Sequence, residues 1–336
     1  MQPPTAWKPR SSTTPVDRED SNSFAKLADV YNYPTSFQND LRCDGRSRMQ
    51  YRPIELETDV VPHASGSACL RLANTHVLVG VKTEIDVPFP EFPNEGKLEF
   101  FIDCTRAGRL GSKPRGCLGI IHVVGSKWDS ELTCAVLGNA GAFPNIEEML
   151  LLMYCAHSSA NATPAFEGRG GEELAVEISN SLARSYQSPQ SFNLTALNIM
   201  PGQQCWKLYV DILILECGGN LFDAISLAVK AALFNTHIPQ VKAASVDGGT
   251  VELNLSDDPF DCWRLDVSHT PVLMTLCKVG EHCILDPTGE EETCCAASAV
   301  VAVNPDARVT SVFKTGVGSF NPQTLVESLK VRQLTC

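Results

Sequence analysis

The stretch KLYVDILILECGGNLFDAISLAVKAALFN, residues 207–235, decides the fold class of this chain. Its first part, Lys207–Glu216, is almost continuously apolar, which predicts a β-strand covered on both faces. After Gly218-Gly219, the segment Asn220–Asn235 carries apolar residues along one helical stripe, with Asn220 as the predicted N-cap. A buried strand that leads directly into an amphipathic helix predicts a core built from both a sheet and helices.

The residues on the N-terminal side of this stretch predict strands and then a helix. Alternating or β-branched runs at Tyr51–Val61, Ala68–Leu72 and Thr75–Ile85 predict an antiparallel meander, and Lys97–Cys104 predicts a fourth strand. Gly170–Tyr186 places apolar residues four positions apart and acidic residues in the first turn. We therefore expect an amphipathic helix in that last segment.

The C-terminal side alternates short strands with turns. The predicted strands are Thr250–Asn254, Pro271–Val279, His282–Leu285, Ala296–Val303 and Val309–Lys314. A further helix is predicted to begin after Pro322. The whole order predicts an α+β fold, a sandwich of mixed β-sheets and helices with two loosely similar halves.

Two segments differ from this pattern. Residues 1–38 are rich in Pro, Ser, Thr and Asn, which predicts a flexible N-terminal tail. Residues 105–158 show neither helical caps nor clean alternation, and we interpret them as an atypical insert. Residues 39–336 are accordingly predicted to form a single domain that this insert interrupts.

Composition restricts the possible partners. Apolar residues make up 43% of the 336 positions, so the chain is expected to fold around a sizeable core. Its formal net charge of −12 argues against a surface that holds nucleic acid unaided, because phosphate binding depends on Lys and Arg. No apolar run approaches the roughly 18 residues that span a bilayer. The N-terminus lacks an apolar signal segment, so we expect no membrane association and synthesis in the cytosol.

Cysteine is abundant, at 14 residues, and would stay reduced in that compartment. The chain has no CxxC pair, and the adjacent pair Cys294-Cys295 has the wrong reach for one tetrahedral zinc. We interpret Cys69, Cys205, Cys217 and Cys277, which lie in apolar runs, as small hydrophobic residues. The sequence predicts no metal site and no cofactor.

Three charged residues are candidates for chemistry. Asp211 lies in the middle of an apolar strand, either as a metal-binding or general-acid carboxylate or as a half-exposed, hydrogen-bonded residue. Glu216 ends the same strand and either faces the same cleft or is solvated. Arg169 lies just before a helix N-terminus, where it either helps to bind an anion or pairs with a neighbouring carboxylate.

Several segments together resemble one family. They include LRCDGRSRMQYRPIELETDVVPHASGSACLRLANTHVLVGVKTEI (residues 41–85), ATPAFEGRGGEELAVEISNSLAR (162–184) and CWKLYVDILILECGGNLFDAISLAVKAALFNT (205–236). These segments resemble the RNase PH-like ring subunits of the eukaryotic RNA exosome, over about residues 40–104 and 159–323. The resemblance implies a six-membered ring, topped by RNA-binding cap subunits and threaded by single-stranded RNA towards separate nucleases.

The resemblance also implies where catalysis would lie. Phosphorolytic members carry an acidic strand leading into a D-G-G-T-R-T-like segment, which corresponds here to Asp211–Asp223. Cys217 interrupts that pattern, and Asn220–Phe222 replaces its Thr/Arg end. Active members also carry arginines for phosphate along the helix after the GR motif; this chain keeps Arg169 of that motif but offers Glu177 and Asn180 along the helix. We therefore predict a non-catalytic subunit, with Asp211 and Glu216 as vestigial candidates.

RNA contacts are predicted at Lys97 and Arg169, which the resemblance places at strand and helix ends facing the channel. The implied work is scaffolding of 3'–5' RNA processing and degradation, in ribosomal RNA maturation and mRNA turnover, in the cytoplasm and the nucleus including the nucleolus. Two alternatives stay open. One is an active phosphate-dependent 3'–5' exoribonuclease, and the other is a splice isoform that keeps residues 105–158 and assembles poorly.

Overall fold

The computed structural model describes residues 42–103, 169–245 and 251–323, apart from residues 257, 259, 281, 317 and 322. The chain divides into two units, residues 1–48 and 49–336, and all helices and strands below belong to the second. The predicted tail at 1–38, the predicted insert at 105–158 and all but the first residue of the helix predicted after Pro322 lie outside the described residues.

The described elements follow the predicted order of strands, helix, strand, helix and strands. They are β1 (Ile54–Thr58), β2 (Gly66–Leu72), β3 (Thr75–Asp86), β4 (Lys97–Asp103), α1 (Arg169–Tyr186), a 3-10 turn (Leu194–Leu197), β5 (Asn198–Met200), β6 (Gln204–Glu216), α2 (Leu221–Phe234), β7 (His237–Pro239), β8 (Val241–Ser245), β9 (Val251–Leu255), β10 (Cys262–Arg264), β11 (Val272–Val279), β12 (His282–Leu285), α3 (Gly289–Thr293), β13 (Ala297–Val303) and β14 (Val309–Thr315).

The larger sheet has the strand order β1-β2-β3-β6-β4, with β5 paired to β6. The meander predicted for β1, β2 and β3 is confirmed, since each pairs antiparallel with the next. The fourth predicted strand, β4, does not continue the meander. It lies on the far side of β6 and runs parallel to it, so β6 is a central strand held between β3 and β4.

One face of β6 is buried and the other is partly exposed. Trp206, Leu208 and Val210 point into the core and are 5%, 0% and 0% exposed. On the opposite face Tyr209 and Asp211 are only half-buried. The prediction that both faces of this strand are covered is therefore wrong. The prediction failed because the apolar residues Tyr209 and Leu213 lie on the same face of the strand as charged residues, and that face is partly exposed.

Helices α1 and α2 lie between the larger sheet and a second, four-stranded sheet. The second sheet has the order β12-β11-β13-β14, and all its pairings are antiparallel. Helix α1 contacts β4 and β14, while α2 contacts β2, β3 and β11. The predicted α+β sandwich is thereby confirmed.

The predicted apolar stripe of α2 forms the centre of the core. All of its members are buried, namely Leu221, Ala224, Ile225, Ala228, Val229 and Ala232. They share one cluster with Val77 and Val79 of the larger sheet and with Leu273 and Val300 of the second sheet. The helix therefore joins the two sheets through one continuous apolar contact.

The cysteines differ in exposure. Cys205 and Cys277 are buried, as their apolar surroundings predict, whereas Cys69 and Cys217 are half-buried. Within the described ranges, no group of His, Cys, Asp and Glu side chains is arranged to hold a metal ion. Over the same ranges, no helix combines the length and the apolarity needed to cross a membrane.

Candidate active site

The turn between β6 and α2 is where the resemblance places catalysis, and it packs against the start of α3. Gly219 has a φ of +97°, and a Cβ added there would lie 2.5 Å from the Gly289 nitrogen. The Gly289 N–H in turn donates to the Gly218 carbonyl at 2.9 Å. Glycine is thus required at position 219 both for its backbone conformation and for this close approach.

Arg52, a cation that contacts this turn, is engaged by protein groups. Its Nε and Nη2 donate to the two carboxylate oxygens of Asp286 at 2.9 and 2.8 Å. Its Nη1 and Nη2 also donate to the carbonyls of Gly218 and Gly219, at 3.0 and 3.1 Å. Arg52 is 7% exposed and Asp286 is fully buried. This guanidinium therefore holds the turn in place and has no face open to an anion.

Asp286 keeps its charge in spite of its burial. Burial acts to raise the pKa of this carboxyl group, but the hydrogen bonds and the charge of Arg52 lower it below its usual value. Asn220 contributes as well, since its Nδ2 donates to Asp286 Oδ1 at 2.8 Å. The ion pair is therefore maintained at neutral pH.

Asn220 immediately precedes α2 at the N-cap position, as predicted, but it does not cap the helix with its side chain. Its backbone is left-handed, with φ 57° and ψ 52°, and its side chain makes no capping hydrogen bond. The buried Asp286 carboxylate recruits the amide instead, and the Asn220 N–H donates to Glu292 Oε1 at 2.7 Å. The predicted capping hydrogen bond is therefore absent: the Asn220 backbone is left-handed and not extended as in an N-cap, and its Oδ1 accepts no hydrogen bond from the helix.

Asp223, in the first turn of α2, is fully buried and accepts hydrogen bonds from two other parts of the chain. Its Oδ2 accepts a hydrogen bond from the Tyr51 hydroxyl at 2.7 Å. Its Oδ1 accepts one from Thr275 Oγ1, also at 2.7 Å. Burial raises the pKa of this carboxyl group, and these hydrogen bonds only partly offset that effect. Asp223 thus links α2 to the segment before β1 and to β11.

The two vestigial candidates, Asp211 and Glu216, both belong to β6. Asp211 is half-buried in the middle of β6, with Gly80 and Phe101 beside it in the register of the sheet. Glu216 ends β6, and its Oε2 lies 4.0 Å from Nη2 of the partly exposed Arg71. Whether either residue has a role in catalysis stays a prediction.

Lys97 begins β4 and already has partners. Its Nζ donates to Asp86 Oδ2 at 2.9 Å and lies 4.4 Å from the centre of the Phe89 ring. The hydrogen bond from Lys97 lowers the pKa of Asp86. Its neighbour Lys207 similarly donates to Glu99, at 2.8 Å. This surface of the larger sheet therefore carries lysines whose charge is balanced locally.

Arg169 is the first residue of α1, one position before the predicted start, and its side chain lies outside the described residues. Further along this helix, Glu177 and Asn180 are exposed at the positions where the resemblance led us to expect cations in active members. The roles predicted for Lys97 and Arg169 in RNA binding remain predictions.

Two profiles of one family match the chain. The profile of the 3' exoribonuclease family, domain 1 (RNase PH), matches residues 50–116 and 129–239, and that of domain 2 matches residues 269–333. The chain belongs to the RNase PH family. The resemblance found in the sequence is thereby confirmed, and Arg52 and Asp286 fall in the parts matched by domain 1 and domain 2 respectively.

This RNase PH family chain is similar to several exosome proteins. It is 29% identical to a putative exosome complex exonuclease RRP42 of Dictyostelium discoideum, over 88% of this chain and 90% of the relative. It is 31% identical to the exosome complex component Rrp42 of Methanopyrus kandleri, over 85% of this chain and 84% of the relative. Both relatives are named as exosome proteins, in agreement with the resemblance found in the sequence.

Solved structures share the fold. A chain of an archaeal exosome core superposes with a TM-score of 0.62 at 22% identity, covering 94% of this chain and 94% of its own. Rice Rrp46 gives a TM-score of 0.50 at 16% identity, covering 88% and 93%. At these identities the similarity concerns the fold alone, which is that of RNase PH proteins.

The sequence analysis missed most of the buried network of this family member. Tyr51 and Arg52 were not singled out, although both lie at the start of the predicted strand Tyr51–Val61. Asp286 was missed as well. A usable signal was the motif Thr288-Gly-Glu-Glu291, which forms a capping box at the start of α3 and marks a helix directly after the acid.

Proposed function

We propose that this RNase PH family chain is a structural subunit of an RNA exosome ring and performs no phosphorolysis of its own. Its relatives in Dictyostelium and Methanopyrus are named as an exosome complex exonuclease and an exosome complex component. The observation that carries the catalytic half of the proposal is the complete engagement of Arg52 by Asp286, Gly218 and Gly219.

Phosphorolysis needs uncompensated positive charge. The reaction brings inorganic phosphate beside an RNA phosphodiester, and fixed cations or a metal must offset the repulsion between the two anions. At the β6–α2 turn, the Arg52 cation is already balanced by the buried Asp286 carboxylate. A second anion placed there would meet the carboxylates of Asp286 and Glu292 instead of free donors.

The segment that would carry a nucleophile-activating acid is also altered. Cys217 stands where the active pattern continues with an acid, and it is half-buried. Leu221 is 5% exposed in the core, and Phe222 packs against the same cluster. Asp223 is tied to Tyr51 and Thr275. The side chains of this turn therefore support packing and not anion binding.

The proposed work is that of a scaffold. The chain would contact other RNase PH-like ring subunits and RNA-binding cap subunits, and it would line part of a channel for single-stranded RNA. A solved structure with a similar fold is described as an Archaeoglobus fulgidus exosome with RNA bound to the active site. We propose that the chain supports ribosomal RNA maturation and mRNA turnover in the cytoplasm and in the nucleus, including the nucleolus.

A phosphorolysis assay tests the catalytic half. The purified chain is incubated with a single-stranded RNA oligonucleotide and inorganic phosphate, and nucleoside diphosphate release is measured against a phosphate-free control. We expect no phosphate-dependent release. The family description as 3' exoribonucleases favours the active alternative, and release that Asp211→Asn abolishes would establish it.

Co-purification tests the scaffold half. The tagged chain is expressed with the other ring subunits, and the mass of the purified complex is measured. We expect one copy of this chain in a complete ring. A soluble chain that is absent from the ring would favour the poorly assembling isoform, and a variant lacking residues 105–158 provides the comparison. Imaging of the tagged chain tests the proposed nuclear and nucleolar location.

A further inference from the structure

Two cysteine sulfurs meet at one serine hydroxyl where β13 begins. Cys277 of β11 is opposite Ser298 of β13 in the sheet register. The Cys277 Sγ lies 3.1 Å from Ser298 Oγ, and the Cys295 Sγ lies 3.3 Å from the same atom. Two thiols from different parts of the chain are thereby held on one small group.

The two thiols differ in environment. Cys277 is 1% exposed, whereas Cys295 is half-buried and lies in the turn after α3. A hydrogen bond from Cys277 lowers the pKa of Cys295 to about 7, against the opposing effect of burial. The same contact and burial raise the pKa of Cys277. Cys295 is thus the more reactive partner, since the thiolate is the form that attacks an oxidant.

We propose that Cys277 and Cys295 are a redox-active pair, which a hydroperoxide oxidises to an intramolecular disulfide. The Cys295 thiolate attacks the O–O bond of hydrogen peroxide, and with one proton this yields Cys295 sulfenic acid and water. The Cys277 sulfur then attacks the sulfenic sulfur, forms the S–S bond and releases a second water. The peroxide gains two electrons, and the two thiols lose two electrons and two protons.

Among the cysteines in the described ranges, the geometry favours this pairing. Both sulfurs already contact Ser298, and the disulfide would form between groups that the fold holds in place. Cys283 lies on β12 in a separate apolar cluster with Leu276 and Leu285. Cys294 is next to Cys295 in the sequence, but the contact found for its sulfur is with the Thr293 hydroxyl, at 4.0 Å, and not with Ser298. Cys294 therefore serves as the matched control.

The test is peptide mapping of the full chain. The reduced protein is treated with hydrogen peroxide, remaining thiols are blocked with N-ethylmaleimide, and peptides are identified without reduction. We expect a Cys277–Cys295 crosslinked peptide, about 2 Da lighter than the sum of its two thiol forms, which dithiothreitol removes. Recovery of Cys277 as fully alkylated, or a bond between Cys294 and Cys295, would overturn the proposal.

Three variants sharpen the test. Cys295→Ser is expected to abolish the crosslink and to leave Cys277 alkylated after denaturation. Cys277→Ser should leave Cys295 without its resolving thiol, so that Cys295 is recovered as sulfinic acid. Cys294→Ser should keep the crosslink at the wild-type yield, and its loss there would contradict the assignment. Circular dichroism of each reduced variant establishes that it is folded before oxidation.

Discussion

Arg52 and Asp286, which are 234 positions apart in the sequence, form a bidentate ion pair with nitrogen–oxygen distances of 2.9 and 2.8 Å. They come from the parts matched by the two RNase PH profiles. The same guanidinium donates to the carbonyls of Gly218 and Gly219, and so it closes the turn that leads into α2. A buried ion pair with this connectivity fixes the position of the two parts relative to each other.

Replacing Arg52 by Met should lower the free energy of unfolding by about 3–5 kcal/mol, because Asp286 would keep its burial and lose its counter-charge. Urea unfolding followed by circular dichroism measures the change. Arg71→Met is the control, since Arg71 and Glu216 are partly exposed and 4.0 Å apart. That variant should cost only about 0–1 kcal/mol. Equal losses for the two variants would contradict a structural role for Arg52.

Gly219→Ala should destabilise the chain far more than Gly280→Ala. Both glycines have positive φ, +97° and +60°, so each substitution strains the backbone. Only at Gly219 does the new methyl group collide with backbone atoms, those of Pro287, Thr288 and Gly289, while the space at Gly280 is open. We expect a cost of about 1 kcal/mol at Gly280 and roughly 2–5 kcal/mol at Gly219. Thermal unfolding of the two variants side by side makes the comparison.

The raised pKa of Asp223 predicts a pH dependence of stability. Burial raises its folded-state pKa above the ordinary value of 3.8, so the folded chain binds this proton more tightly than the unfolded chain. Its contribution to stability is present below pH 3.8 and is lost as the pH rises through the folded-state pKa. In Asp223→Asn this loss should vanish. The free energy of unfolding of Asp223→Asn should therefore increase relative to that of the wild type as the pH rises above 3.8.

Asp86→Asn provides the opposite case for the same measurement. The hydrogen bond from Lys97 lowers the pKa of Asp86, so its contribution is present above pH 3.8 and is lost as the pH falls through the folded-state value. The two variants should thus deviate from the wild type in different pH ranges and with opposite sign. A pH dependence of Asp223→Asn identical to that of the wild type would show that Asp223 does not titrate as described.

Local sequence patterns were enough to predict the helices and strands, but they did not predict the long-range polar contacts. The stripe of α2 and the meander of β1 to β3 follow from periodicity, which each segment carries by itself. The parallel position of β4 beside β6 depends on a crossover that no local pattern specifies. The pairing of Arg52 with Asp286 is of the same kind, because a side chain alone does not indicate a partner 234 residues away.

The same limit explains the two local errors. Asn220 has the residue type of an N-cap, but its backbone is left-handed and its amide Nδ2 donates to the distant Asp286, so its side chain makes no capping hydrogen bond. The apolar run of β6 suggested two covered faces, although the register places Lys207 and Tyr209 beside charged residues of β3 and β4. The composition of a strand gives its hydrophobicity, but which of its faces is covered depends on the elements that pack against it.

The predicted RNA contact at Lys97 can be tested through its acidic partner. Asp86 accepts the hydrogen bond of Lys97 and lies 3.9 Å from Lys207 Nζ, so it offsets the positive charge of this surface. If Lys97 faces RNA, Asp86→Asn in the assembled complex should tighten binding of single-stranded RNA several-fold at low salt. Releasing one lysine for a phosphate contact should also steepen the salt dependence of log K by about 0.7.

Glu57→Gln separates a local effect from a general one. It removes the same negative charge from an exposed position on β1, where Glu57 is opposite Cys69 and far in sheet order from β4. Long-range attraction of RNA would change equally in both variants, and the extra phosphate contact would appear only in Asp86→Asn. Fluorescence anisotropy over a salt series measures both quantities. Identical slopes for Asp86→Asn, Glu57→Gln and the unmodified complex would remove Lys97 from the RNA path, because a lysine released from its carboxylate would then have found no phosphate.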